Sequence, residues 1–201
     1  IAGTPLQGSL FVLLLENRDF NTPFDTTYDD GANDYPFISF AAPAGIWPVA
    51  VDVQPFSMLV QVMVDVTAAA GARDLVIYSG TTAFAVLSPV PGAFSVGART
   101  ATTLTANAAR TVSPAAPLDT FLFQYTAATA TNLATFEATS TAAAAAPSLI
   151  LLPASGSFAD MIDWTNAAHL YTTGGATYYA VYLDAEWGSG YDATVKVSVP
   201  Y

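Results

Sequence analysis

Val60-Gln-Val-Met-Val-Asp-Val66 decides the class of fold. Valines at 60, 62, 64 and 66 alternate with residues that include Gln61 and Asp65. A repeat of two puts all four valines on one face of an extended strand. The same alternation precedes it, where Val49, Val51 and Val53 alternate with Ala50, Asp52 and Gln54. It returns in Phe121, Phe123 and Tyr125, in Tyr178–Asp184, and in Val195, Val197 and Val199 against Thr194, Lys196 and Ser198. β-Branched and aromatic residues fill these runs, and Gly, Pro, Asn and Asp separate them. Helical signals are few. The alanine run at 138–146 meets Pro147, and only Asp160–Leu170, with Ser157 as an N-cap, could form about two helical turns. The chain therefore reads as all-β, an antiparallel β-sandwich or jelly roll.

At 201 residues there is room for two tandem sandwich units or one large jelly roll. Ser113-Pro-Ala-Ala-Pro117 is the best internal boundary, giving units at 1–112 and 118–201. The halves echo each other. Asp34-Tyr-Pro-Phe-Ile-Ser-Phe and Asp74-Leu-Val-Ile-Tyr-Ser-Gly80 in the first match Asp119-Thr-Phe-Leu-Phe-Gln-Tyr and Ser148–Gly156 in the second.

The second half resembles the bacterial pre-peptidase C-terminal (PPC) domain family. The resemblance rests on the Asp119–Phe123 opening strand, the Leu149–Gly156 hairpin, the Gly175–Leu183 aromatic strand and the closing Tyr191–Val197. It implies a secreted, non-catalytic β-sandwich module, often appended to hydrolases and sometimes calcium-bound. In composition the chain also resembles Thr- and Ala-rich subunits of archaeal extracellular filaments.

Charge excludes several functions. Only 10 % of residues are charged, and the net charge is −11. The basic residues Arg18, Arg73, Arg99, Arg110 and Lys196 are scattered, which argues against nucleic acid and anionic membrane surfaces. The apolar runs are broken by proline and glycine, so no membrane-spanning helix is expected. Absence of cysteine removes thiol catalysis and disulfides. The start at Ile1 and the scarcity of lysine fit a mature protein after signal-peptide removal, extracellular or at the cell surface.

Six of the sixteen acids, Glu16, Asp19, Asp25, Asp29, Asp30 and Asp34, lie within one short stretch. Within it Asp25, Asp29, Asp30, Asn33 and Asp34 supply the oxygen donors that Ca²⁺ needs, with Gly31 for a turn, although the spacing is not that of an EF-hand. A solvated loop is the plainer reading. His169 is the only histidine and no Gly-x-Ser-x-Gly elbow exists, so a relay hydrolase is the weakest function. Asp184 and Glu186 form the one conceivable glycosidase pair, while Tyr182, Trp187 and Tyr191 nearby suggest a carbohydrate-stacking surface.

Leu10, Phe11, Val12, Leu13, Leu14 and Leu15 are apolar without alternation, which means a strand covered on both faces. It reads either as a strand of the chain's own sandwich or as a strand donated to a neighbouring copy. The leading expectation is a non-catalytic secreted subunit that self-assembles into a filament or surface layer, assisted by Ca²⁺. The alternative is a PPC-like module that binds glycan or matrix. Calorimetric titration should show Ca²⁺ binding to the acidic stretch that orders the segment after Leu15; no heat at millimolar Ca²⁺ leaves a solubilising loop.

Overall fold

A computed structural model of the chain describes residues 3–16, 28–29, 34–35, 38–79, 85–128 and 132–200. Seventeen strands follow one another: β1 Ser9–Glu16, β2 Tyr28–Asp29, β3 Asp34–Tyr35, β4 Ile38–Ala41, β5 Ile46–Gln54, β6 Ser57–Val64, β7 Gly71–Ser79, β8 Ala85–Val96 and β9 Thr102–Thr103. After them come β10 Ala109–Val112, β11 Phe121–Thr126, β12 Asn132–Thr139, β13 Pro147–Leu152, β14 Asp163–Thr165, β15 Ala167–Thr172, β16 Thr177–Asp184 and β17 Ala193–Ser198. The fold is all-β and mostly antiparallel, as the alternation implied, and β9 with β11 is the parallel pair among these strands. No α-helix occurs among the described residues.

Four sheets carry the architecture, besides the short β2–β3 pair. Sheet I is β4-β7-β8 and sheet II is β1-β6-β5; sheet III is β14-β13-β16-β11-β9 and sheet IV is β10-β17-β12-β15. The buried residues stack them in that order. Phe11, Leu13, Ile46, Met58, Val60, Val62 and Val64 of sheet II pack with Leu75, Phe94 and Val96 of sheet I. Leu10 and Val12 on the other face of β1 pack with Leu122, Ile150, Leu152, Val181 and Leu183 of sheet III. On its far face, sheet III buries Phe123, Tyr125, Leu149, Leu151, Tyr178, Ala180 and Tyr182 against Ala134, Phe136, Ala138, Ala168, Val195 and Val197 of sheet IV. Alternate residues of a strand point to opposite faces, so both middle sheets must be apolar on two sides.

The apolar run 10–15 is thus a strand of the chain's own fold. β1 pairs with β6 from Ser9↔Val64 to Glu16↔Ser57. Leu10, Phe11, Val12 and Leu13 are nearly inaccessible, but the strand lies at the edge of sheet II and Leu14 is 54 % exposed. Residues 102–112, expected with the first unit, hydrogen-bond into the later sheets instead: β9 joins β11, and β10 joins β17. The helical expectation for Asp160–Leu170 is corrected. Ser157 does cap a turn, with its Oγ accepting from Ala159 N at 3.2 Å, but that turn is a single 3₁₀ turn over Phe158–Asp160. β14 and β15 follow it, because β13 and β12 offer free edges to Trp164, Thr165, His169 and Tyr171, residues with weak helix preference.

Two further ties cross the layer between sheets II and III. Asp65, 6 % exposed, accepts from Trp47 Nε1 at 2.8 Å and from the Phe158 amide at 2.7 Å on the same Oδ1. Val66 N donates to Gly156 O at 2.9 Å. A Cβ on Gly156 would meet Val66 Cβ at 2.7 Å, and the glycine sits at φ +65°, so no other residue fits there without strain.

Because β1 serves two cores, Leu10→Ala should lower stability by about 2–5 kcal/mol. Tryptophan fluorescence and far-ultraviolet circular dichroism should move together in denaturant. Two separate steps, only one of them displaced, would show that the layers unfold independently.

Candidate functional site

The turn after β16 was singled out by its acids and aromatics, and its geometry assigns them different tasks. Asp184 ends β16 and is 2 % exposed. Its Oδ1 accepts from the amides of Glu186 at 2.9 Å and Gly188 at 2.8 Å; its Oδ2 accepts from the Ala146 amide at 2.8 Å and from the Tyr191 hydroxyl. The Tyr191 hydrogen is committed to the carboxylate, so in the 3.1 Å contact between hydroxyls Tyr182 donates to Tyr191. Burial alone pushes the Asp184 carboxyl up, but the bonds from Tyr191 and the three amides outweigh it and hold the group below the ordinary carboxylate range. Burial and the same bonds push the Tyr191 hydroxyl far up. A Cβ on Gly188 would lie 3.1–3.2 Å from the Asp184 carboxylate, which explains the glycine at the point of closest approach.

This arrangement organises a turn and has no room for a glycosidase pair. Asp184 is saturated and buried, whereas Glu186 is exposed. Of the three aromatic residues expected to form a binding surface, Tyr182 is corrected to a core residue at 0 % exposure, because its position in β16 faces sheet IV. Tyr191 is half-buried and bound to Asp184. Trp187 alone is displayed, 50 % exposed at φ +60°, a left-handed backbone unusual for so bulky a side chain. The amides on either side of it, at Glu186 and Gly188, are held by Asp184.

A second aromatic region was not apparent from the sequence. Trp47 is paired with Met63 on the side of sheet II that faces sheet III. Trp164 is paired with Ile150, which fixes it on the side of sheet III that faces sheet II. Ile162, two residues earlier, shares that side, and Met161 adjoins it. β5 and β14 are edge strands. Asp65 holds the Trp47 indole to the start of the 3₁₀ turn, and the segment after that turn leads to Trp164 on the facing sheet. Trp47, Met161, Ile162 and Trp164 are 39–42 % exposed. Only the pairing of strands puts Trp47 and Trp164 on facing sides of two sheets, so no sequence motif could have shown it.

The other expected sites fall as follows. Asp25, Asp30 and Asn33 lie outside the described residues, while Asp29 and Asp34 stand opposite each other in the β2–β3 pair. Among the described residues no three His, Cys, Asp or Glu side chains converge as a metal would require. His169 is on the outer face of sheet IV, with Nδ1 3.0 Å from Thr135 Oγ1. Among the described residues no helix is long and apolar enough to cross a membrane.

At the opposite border of sheet III a pocket of about 450 Å³ is lined by Arg99, Thr100, Thr102, Arg110, Thr111, Thr120 and Phe121 among others. Arg99 donates to Gly8 O at 3.3 Å and to Thr120 O and Oγ1 at 2.8–3.3 Å, all neutral acceptors. Burial pushes its guanidinium down, and the charge of Asp119 offsets part of that.

No protein-family model matches the chain, and no curated protein does. Among solved structures, the chain is similar to the pre-peptidase C-terminal domain of a collagenase from Bacillus anthracis. The identity is 15 % and the TM-score 0.40, over 49 % of this chain and 94 % of that one. This is a weak and partial structural resemblance to a PPC domain. The secreted serine protease VesC from Vibrio cholerae matches at 10 % identity and a TM-score of 0.31, over 98 % of this chain and 48 % of that one. Tripeptidyl peptidase 2 matches at 10 % and 0.28, over 98 % and 19 %. The chain thus spans about half of VesC and a fifth of tripeptidyl peptidase 2, and none of these likenesses carries an activity over to it.

Tyr191→Phe removes a hydrogen bond to a buried carboxylate and should cost about 1.5–3 kcal/mol near neutral pH. A carboxyl held low in the folded state contributes stability above its ordinary range and loses it as pH falls through the lowered value. The gap between wild type and Tyr191→Phe should therefore narrow below about pH 4. Denaturant titrations at neutral and acidic pH check this; a gap independent of pH contradicts it.

Proposed function

We propose that this chain is a non-catalytic, secreted β-sandwich module that binds glycan through the open seam between sheets II and III. The observation that supports it is the pair of half-exposed tryptophans on facing sheets, Trp47 and Trp164, with Met161 and Ile162 beside them. Tryptophan rings offer a flat apolar face to the C–H side of a sugar while leaving their edges wet. The seam is built on strand edges, so the platform is rigid before binding and little ordering cost is added.

Self-assembly into a filament or layer is the second reading. It is favoured by β1, which stands at the edge of sheet II with Leu14 54 % exposed. An edge strand can extend its sheet onto another copy. Donation of β1 itself would strip Leu10, Phe11, Val12 and Leu13 from two cores, so pairing at the edge without exchange is the form this reading takes.

Trp164→Ala should weaken saturable retention on insoluble polysaccharides by about tenfold or more, the scale of an aromatic anchor, while leaving the fold intact by circular dichroism. Equal retention of both proteins contradicts the seam as the site. Retention on a protein matrix but on no polysaccharide replaces glycan by protein as partner. Concentration-dependent polymers seen in sedimentation, with no glycan retention, favour the assembly reading.

A further inference from the structure

The chain has five basic residues against sixteen acidic ones, yet two of the five line the same pocket. Arg110 lies on the edge strand β10. Its partner in register is Val195, a core residue between sheets III and IV, so Arg110 occupies the inward face at the open border of that sandwich. Its backbone pairs with β17, but its side chain makes no hydrogen bond or ion pair among the described residues. Arg99, from the connection between sheets I and III, is half-buried and its guanidinium meets only carbonyl and hydroxyl oxygens. The nearby carboxylate of Asp119 is turned to other work, accepting from the amides of Ala115 and Ala116 at 2.8 Å each. Two arginines thus line one pocket, and among the described residues the carboxylate whose charge reaches Arg99, that of Asp119, accepts its hydrogen bonds from backbone amides instead, in a protein where acids outnumber bases about threefold.

The pocket is also sized and furnished for more than a bare ion. Its volume of about 450 Å³ falls in the range of ligand pockets, roughly 300–1,000 Å³. Thr100, Thr102 and Thr111 are exposed hydroxyl residues on its walls, and the half-buried Phe121 adds an apolar surface. A net charge of −11 repels every anion and a densely charged chain most, so a ligand with a single negative charge meets the smallest penalty from the field of the whole molecule. Guanidinium groups pair with planar carboxylates through parallel hydrogen bonds.

We propose that the Arg99–Arg110 pocket binds the carboxylate of an acidic sugar, with the threonine hydroxyls meeting the sugar hydroxyls. This deepens the glycan-binding reading and rests on it. The site is separate from the tryptophan seam, which lies at the other border of sheet III.

Nuclear magnetic resonance titration with glucuronate, glucose, acetate and sulfate tests it on wild type, Arg110→Gln and Trp164→Ala. Glucuronate should shift resonances of β9, β10 and β11 and bind more tightly than glucose, acetate or sulfate. Arg110→Gln should weaken glucuronate by about tenfold or more, the loss of a charge-assisted hydrogen bond. Trp164→Ala should leave glucuronate binding unchanged. Arg110→Lys should recover part of it, because the charge returns without the fork. No glucuronate-dependent shifts, or equal binding by Arg110→Gln, overturns the proposal even if polysaccharide retention persists. Sulfate or acetate binding as tightly as glucuronate also overturns it, leaving a simple anion site. Glucuronate binding that depends on Arg110, with no retention on any polysaccharide, keeps the carboxylate site and sinks the glycan module.

Discussion

One strand is buried in two cores. Phe11 and Leu13 point into the layer between sheets I and II, and Leu10 and Val12 point into the layer between sheets II and III. Everything else in the architecture accommodates that. If a strand must be apolar on both faces, a sheet has to cover each face, and the same demand falls on β13 and β16 in sheet III. Stacking four sheets gives three apolar layers, and this is why 53 % of the residues are hydrophobic without any membrane-spanning helix among those described. Polar residues are left to the outer faces, the rims and the turns.

The few charged groups inside this body work locally. Asp65 and Asp184 are both nearly inaccessible, and backbone amides contribute to satisfying each. A buried carboxylate that accepts several hydrogen bonds costs less, because those donors replace the water it has lost. Asp65 fastens a layer boundary, and Asp184 fixes the turn that holds Trp187 outward. Removing either acid would orphan several donors at once.

Strands were legible wherever one face alternates, as in Val60–Val64, since the period of two is a direct record of which side is buried; Val66 lies past the strand end and packs in the next layer instead. The unalternated run of Leu10–Leu15 also declared two covered faces, which the structure shows over Leu10–Leu13 while Leu14 is exposed. The segment 160–170 was not legible, because whether Trp164 and His169 extend depends on edges offered by β13 and β12 far away in sequence. The pairing of β9 and β10 was hidden for the same reason, since β11 and β17, which they join, lie beyond the proline punctuation at 113–117. The Asp184 turn showed its acids and aromatics but not their roles, which follow from donors at Ala146, Gly188 and Tyr191. That Arg99 and Arg110 line one pocket, and that Trp47 and Trp164 stand on facing sheets, are properties of sheet stacking and left no trace in local sequence.

The shared strand sets an order of events at the ribosome. Leu10 and Val12 need Leu122, Ile150 and Val181 to cover them, and Leu122 follows Leu10 by 112 residues. At ordinary elongation speeds of about 5–20 residues per second, that interval is on the order of ten seconds. Throughout it, the emerging β1–β6 pair presents an apolar face with no partner yet made. A nascent chain of this protein is therefore a natural client for a holding chaperone until its second half has been translated.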